Sequence, residues 1–169
     1  MKFLNTVTSA LPAAVFGFLA LGIASTTSQA QTTTQTATFL VSATVEGTCT
    51  ITATPLAFGI YTGTQLQNTS TVSVNCTGGT TYSVGLNGGL TGTVTARKMT
   101  GQFTTGNSLA YTLTSVGYAG TNWGNTSPTW VTGTGSGIAQ PLTVYGTIAA
   151  GTPPPADAYT DTITATVTY

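Results

Sequence analysis

The groups in this sequence whose types and spacing bear on chemistry are a carboxylate pair, many hydroxyls, one basic dipeptide and two cysteines. Asp157 and Asp161 lie four residues apart around Tyr159. On an extended chain that spacing spans roughly 13 Å, beyond the separations used in glycoside hydrolysis. Hydroxyls are plentiful, with 42 Thr among 169 residues, but a hydroxyl nucleophile needs an adjacent base. The chain has no His, and Lys98 is its only lysine beyond Lys2. Without His, the commonest general base and the commonest metal ligand are both missing. Two Cys without His cannot assemble a cysteine–histidine zinc site. Arg97 and Lys98 read as a solvated basic pair, too small to track a nucleic-acid backbone. The expectation is a protein that is not an enzyme. It has no catalytic, metal or cofactor residues, no small-molecule substrate and no nucleic-acid partner.

The cysteines take their meaning from the N-terminus. Lys2 precedes an apolar run of 13 residues, Leu11 to Ile23, and Ser28-Gln29-Ala30 places small residues where a signal peptidase reads them. Residues 1–30 are expected to be a secretory signal peptide cut between Ala30 and Gln31. A membrane anchor is the weaker reading, because spanning a bilayer takes roughly 20 apolar residues. In an oxidising compartment an even cysteine pair is usually a disulfide. Within one chain only Cys49–Cys76 is available, closing a loop of about 28 residues worth about 3–4 kcal/mol in the loop-entropy model. The alternative is a redox-active or intermolecular thiol. It lacks a CxxC motif and a nearby His or Lys to depress the thiol pKa.

These residues must be held by strands. Only 4% of the chain is charged, against about a quarter in ordinary domains. Threonine favours strands, and the 21 Gly mark turns. Period-two alternation dominates. Ala37, Phe39, Val41, Ala43 and Val45 alternate with polar or small residues and Leu40; Val72, Val74 and Cys76 repeat the pattern. So do Tyr82, Val84 and Leu86, then Leu109, Tyr111 and Leu113, then Leu142, Val144, Gly146 and Ile148. The last run sets Ile163, Ala165, Val167 and Tyr169 against four threonines. About seven short strands separated by Gly- and Pro-rich turns indicate a single all-β sandwich or barrel. The first and last runs carry almost no charge, and an apolar, uncharged edge strand aggregates unless another chain pairs with it.

Ordered elements across residues 31–169 resemble the spore coat protein U domain, the subunit family of archaic (Csu-like) chaperone–usher pili. They are Phe39-x-Val41 and Cys49, then Leu56-x-Phe58-Gly59-x-Tyr61, then Val72-x-Val74-x-Cys76-Thr77. Tyr82-x-Val84-x-Leu86, Arg97-Lys98-Met99 and Leu109-x-Tyr111-x-Leu113 follow. Trp123-Gly124, Val144-Tyr145-Gly146 and Tyr159-x-Asp161-Thr162 complete the series. Asp157 departs from the glycine common two residues before that tyrosine.

The resemblance implies an incomplete immunoglobulin-like sandwich completed by donor-strand complementation. Residues 31–45 would be the leader and donor strand, and residues 46–169 the incomplete pilin domain. Ala37, Phe39, Val41, Ala43 and Val45 would enter a neighbour's groove, which Ile163, Ala165, Val167 and Tyr169 would line. The implied partners are identical or related pilin subunits, a periplasmic chaperone and an outer-membrane usher. The implied location is a cell-surface pilus of a Gram-negative bacterium, reached through the periplasm and supporting adhesion and biofilm formation. The alternative is a stand-alone secreted adhesin or carbohydrate-binding sandwich, with Trp123, Trp130, Tyr118 and Tyr145 as a platform. Core packing is the more ordinary use of those rings.

Overall fold

The computed structural model describes residues 29–169, so the signal-peptide expectation lies almost wholly outside the described residues. The chain divides into two units, one ending at Ser42 and the other running from Ala43 to Tyr169. In the first, no strand is formed by the residues described. The run Thr36–Val45, expected as a strand, is unpaired in the single chain up to the first strand at Cys49. Phe39, Val41 and Val45 are at least 80% exposed. The physical reason is that a strand needs a partner edge for its N–H and C=O groups, and alternation supplies only the faces.

The larger unit is built from nine strands: β1 (Cys49–Ala53), β2 (Leu66–Cys76), β3 (Thr81–Leu86), β4 (Arg97–Gly101), β5 (Ser108–Thr114), β6 (Val131–Thr134), β7 (Gln140–Ile148), β8 (Tyr159–Thr160) and β9 (Ala165–Thr168). Six form one antiparallel sheet in the order β1-β2-β7-β5-β4-β8, and three form a second in the order β6-β3-β9. No helix occurs among the described residues.

The alternating apolar residues explain the layering. Val72, Val74 and Cys76 of β2, Tyr111 and Leu113 of β5, and Val144 and Ile148 of β7 are buried from one sheet. Tyr82, Val84 and Leu86 of β3 are buried from the other, with Trp123 fully enclosed between them. Polar neighbours alternate outward, as in a two-sheet sandwich with one shared core. Cys49 and Cys76 face each other across the β1–β2 ladder and form a disulfide. The bond pins the start of β1, where Thr48 and Thr77 also exchange main-chain and side-chain hydrogen bonds.

Arg97 corrects the expectation of a solvated basic pair. Lys98 is exposed, but Arg97 is 1% exposed and lies in the core. Alternation along β4 puts consecutive side chains on opposite faces, so adjacent residues cannot share a solvated surface. The guanidinium donates from Nε and Nη2 to the Asn87 carbonyl at 2.9 and 2.7 Å. Nη2 also donates to the carbonyls of Leu86 (3.1 Å) and Trp123 (2.6 Å). Trp123 in turn donates from Nε1 to the Val84 carbonyl at 2.8 Å. Arg97 satisfies main-chain acceptors at Leu86 and Asn87, where β3 leaves its sheet, while Trp123 ties its indole to Val84 in the middle of that strand.

Candidate functional cleft

The two sheets do not close against each other along one side. A cleft of about 390 Å³ lies between residues 53–58, which begin at the last residue of β1, and residues 159–165, which run from β8 into β9. Val72, Leu86, Tyr111, Leu113 and Val144, all core residues, form its floor. An adjoining depression of about 560 Å³ shares Leu56, Phe58, Met99 and Tyr159, and extends to Pro153–Asp157. The cleft tapers at the other end, where Cα atoms of β1 and β9 approach within 8 Å. A strand seated between two others needs them about 9.6 Å apart, twice the ordinary inter-strand spacing.

Both rims carry unused backbone. The Thr164 carbonyl accepts from Asn87, so by alternation residues 164, 166 and 168 point their main-chain groups at β3. Those of Ile163, Ala165 and Val167 point to the open side. On the other rim, Thr48 and Thr54 bond to the β2 side, which turns the groups of Cys49, Ile51 and Ala53 outward by the same rule. Residues 54–61 belong to no strand and are held by side chains. Asn68 Nδ2 donates to the Ala57 carbonyl at 2.6 Å, and the Tyr61 hydroxyl donates to that of Ala149 at 2.8 Å. Leu56 and Phe58 settle over Gly146, where a Cβ would collide with both. Bare glycine in β7 is therefore what lets this rim approach the core.

The residues expected to line a groove divide. Ile163 and Ala165 line the cleft. Val167 is half-buried against the core, opposite Val84. Tyr169 is 61% exposed and borders a separate shallow depression with Thr81, Tyr82 and Gly133. Alternation assigned all four to one face, but the cleft lies toward the β8 end, away from Tyr169. The aromatic residues considered as a platform also divide. Trp123 is in the core, while Tyr118 and Tyr145 pack edge-to-face at 5.2 Å.

Asp157 and Asp161 are likewise engaged separately. Asp161 Oδ2 accepts from the Tyr111 hydroxyl at 2.6 Å, and Oδ1 accepts from Leu90 N at 2.8 Å. Burial, reinforced by that hydrogen bond, raises the Tyr111 pKa well above the ordinary tyrosine range and keeps it a donor. Asp157 accepts from the main-chain N–H groups of Phe103, Thr104 and Ala158. Desolvation pushes its pKa upward, but the backbone N–H groups together outweigh this and hold the carboxyl below its ordinary value. A depressed folded-state pKa contributes stability above the unfolded value that is lost as pH falls through the folded one. Thermal midpoints of the wild-type chain should therefore fall on acidification below about pH 4, and Asp157→Asn should flatten that segment of the profile. An unchanged profile for the variant would count against the assignment.

The fold and the cleft define an antiparallel β-sandwich with unpaired backbone on both sides of an opening into its core. The chain matches the model of the Spore Coat Protein U domain over residues 35–166. It is 34% identical over 160 residues to Protein U of Myxococcus xanthus, covering 84% of this chain and 89% of that protein. It is also similar to a solved structure from Acinetobacter baumannii, the CsuC–CsuE chaperone–tip adhesion subunit pre-assembly complex of archaic chaperone–usher Csu pili. The TM-score is 0.56 at 25% identity, over 75% of this chain and 41% of that chain, so this chain spans less than half of its structural neighbour. The chain belongs to the spore coat protein U domain family, and its sandwich is of the immunoglobulin-like kind.

Proposed function

We propose that the chain is a structural, non-catalytic subunit of an archaic chaperone–usher pilus, exported to the cell surface and assembled head-to-tail by donor-strand complementation. The observation that carries this reading is the cleft, with its apolar floor and main-chain groups unused on both rims. A donated strand satisfies both needs at once. The leader of a second copy has the matching character: Ala37, Phe39, Val41, Ala43 and Val45 alternate along a stretch free of charge. Each Phe or Val seated on the floor contributes roughly 1.5–3 kcal/mol, and the ladder adds hydrogen bonds. A heterologous contact that does not close generates a fibre. Before assembly the same exposed groups require a periplasmic chaperone, and ordered exchange requires an outer-membrane usher. Adhesion and biofilm formation are the roles such a fibre serves.

The test is direct. Mature chain purified without a chaperone should run as an SDS-resistant ladder that collapses to one band on boiling. A monodisperse monomer that unfolds cooperatively with no donor present would overturn the reading.

A further inference from the structure

Three of the five charged residues beyond the expected signal peptide, Arg97, Asp157 and Asp161, are engaged around one stretch of chain. That stretch is the cleft rim at residues 157–164, which crosses from one sheet to the other. Only Tyr159 and Thr160 of it are paired in a strand, with Gly101 and Thr100. Asp157 grips the turn after β4 through Phe103 N and Thr104 N, the latter at 2.9 Å. Asp161 grips both Tyr111 on the floor and Leu90 N in the turn after β3. Asn87 Oδ1 accepts from Thr164 N at 2.9 Å, and Arg97 holds the Asn87 carbonyl.

Two glycines make room for the carboxylates. A Cβ on Gly89, whose φ is +85°, would collide with the Asp161 carboxylate, and one on Gly101 with that of Asp157. The rim is thus held by two acidic clips that flank its short β8 ladder, which the Gln102 N–H extends by one bond to the Ala158 carbonyl.

We propose that Asp157 and Asp161, with Tyr111, are positioning residues that hold this rim in place for an incoming strand. The inference rests on the donor-strand reading above. Without the clips, residues 161–163 have no partner to keep them away from residues 54–58. The apolar walls Leu56, Phe58 and Ile163 would then close over the floor. An incoming strand would have to reopen the cleft, so its capture would slow, whereas the packed core would be unchanged.

The experiment uses the full mature chain carrying Phe39→Asp in its own leader, so that no neighbouring copy fills the cleft, and a fluorescent synthetic peptide of residues 36–47, following capture by anisotropy beside the thermal midpoint of the peptide-loaded sample. Asp161→Ala and Asp157→Ala should each slow capture by about tenfold, the scale of a lost hydrogen bond to a charged acceptor. Tyr111→Phe, which leaves no void, should slow it several-fold with little change in midpoint. Asp161→Asn keeps an acceptor for Leu90 and a polar partner for Tyr111, and should recover most of the rate. Capture at the wild-type rate by Tyr111→Phe and Asp161→Ala would overturn the clips alone. So would loss of rate only in proportion to lost stability. Failure of this non-assembling chain, with the rim intact, to take the peptide at all would overturn the donor-strand reading and the clips with it.

Discussion

Phe39→Asp should abolish assembly, while Thr38→Asp, one residue away, should leave it largely intact. Under the proposed function Phe39 is the largest apolar side chain on the face that seats on a neighbour's cleft floor. Removing it forfeits roughly 1.5–3 kcal/mol of transfer free energy. Putting a carboxylate in its place adds a desolvation penalty of several kcal/mol, because Leu86, Leu113 and Val144 on the floor carry no side-chain cation to pair with it. Together these correspond to at least about a thousandfold loss of affinity per joint. Thr38 belongs to the opposite face of the alternation, so its substitution leaves the seated side chains untouched. The readout is the SDS-resistant ladder of each variant. Equal ladders for the two would show that no strand from residues 37–45 is buried in the joint. Equal loss would show that the leader contributes through net charge and not through one face.

Arg97→Ala should be the most destabilising single charge removal in the folded domain, at about 3–5 kcal/mol. The substitution leaves the carbonyls of Leu86, Asn87 and Trp123 without the donors they have in the native chain. Arg97→Lys should recover little, because a single ammonium cannot reproduce the planar fork of Nε and Nη2. Burial lowers the Arg97 pKa, with Tyr111 and Asp161 opposing the shift, and guanidinium remains charged throughout the working pH range. Lys98→Ala, on the exposed face of the same strand, should change stability by less than about 0.5 kcal/mol. Urea unfolding followed by tryptophan fluorescence, with saturating donor peptide present throughout, compares the variants. Comparable effects at positions 97 and 98 would refute the buried carbonyl clamp.

Much of the scaffold was legible because strand alternation is written directly into residue order. The runs at Val72–Cys76, Tyr82–Leu86, Leu109–Leu113 and Leu142–Ile148 all lie in strands with the expected residues inward. Strands β1, β4, β6 and β8 were not legible. They are two to five residues long and rich in Thr or Gly, and they form because a neighbouring edge is available. The role of Arg97 was equally hidden. Its three carbonyl acceptors lie 10 to 26 residues away in sequence, and no local pattern relates them.

From the amino-acid sequence alone, the low charge count and the lack of His set the expectation of a chain without acid–base, metal or nucleic-acid chemistry, and the spacing of apolar residues determined an all-β chain with a cysteine pair. Those properties follow from residue type and from a period of two, which need no knowledge of partners. Tertiary structure decided which edges remain unpaired, where the cleft opens and what Asp157, Asp161 and Arg97 do. Main-chain hydrogen bonding between strands is non-local: whether Ile163, Ala165 and Val167 have free N–H and C=O groups depends on which strand lies beside them. It also decided that Tyr169 stands apart from the cleft although it shares the alternation of Ile163, because the opening ends where β1 and β9 converge.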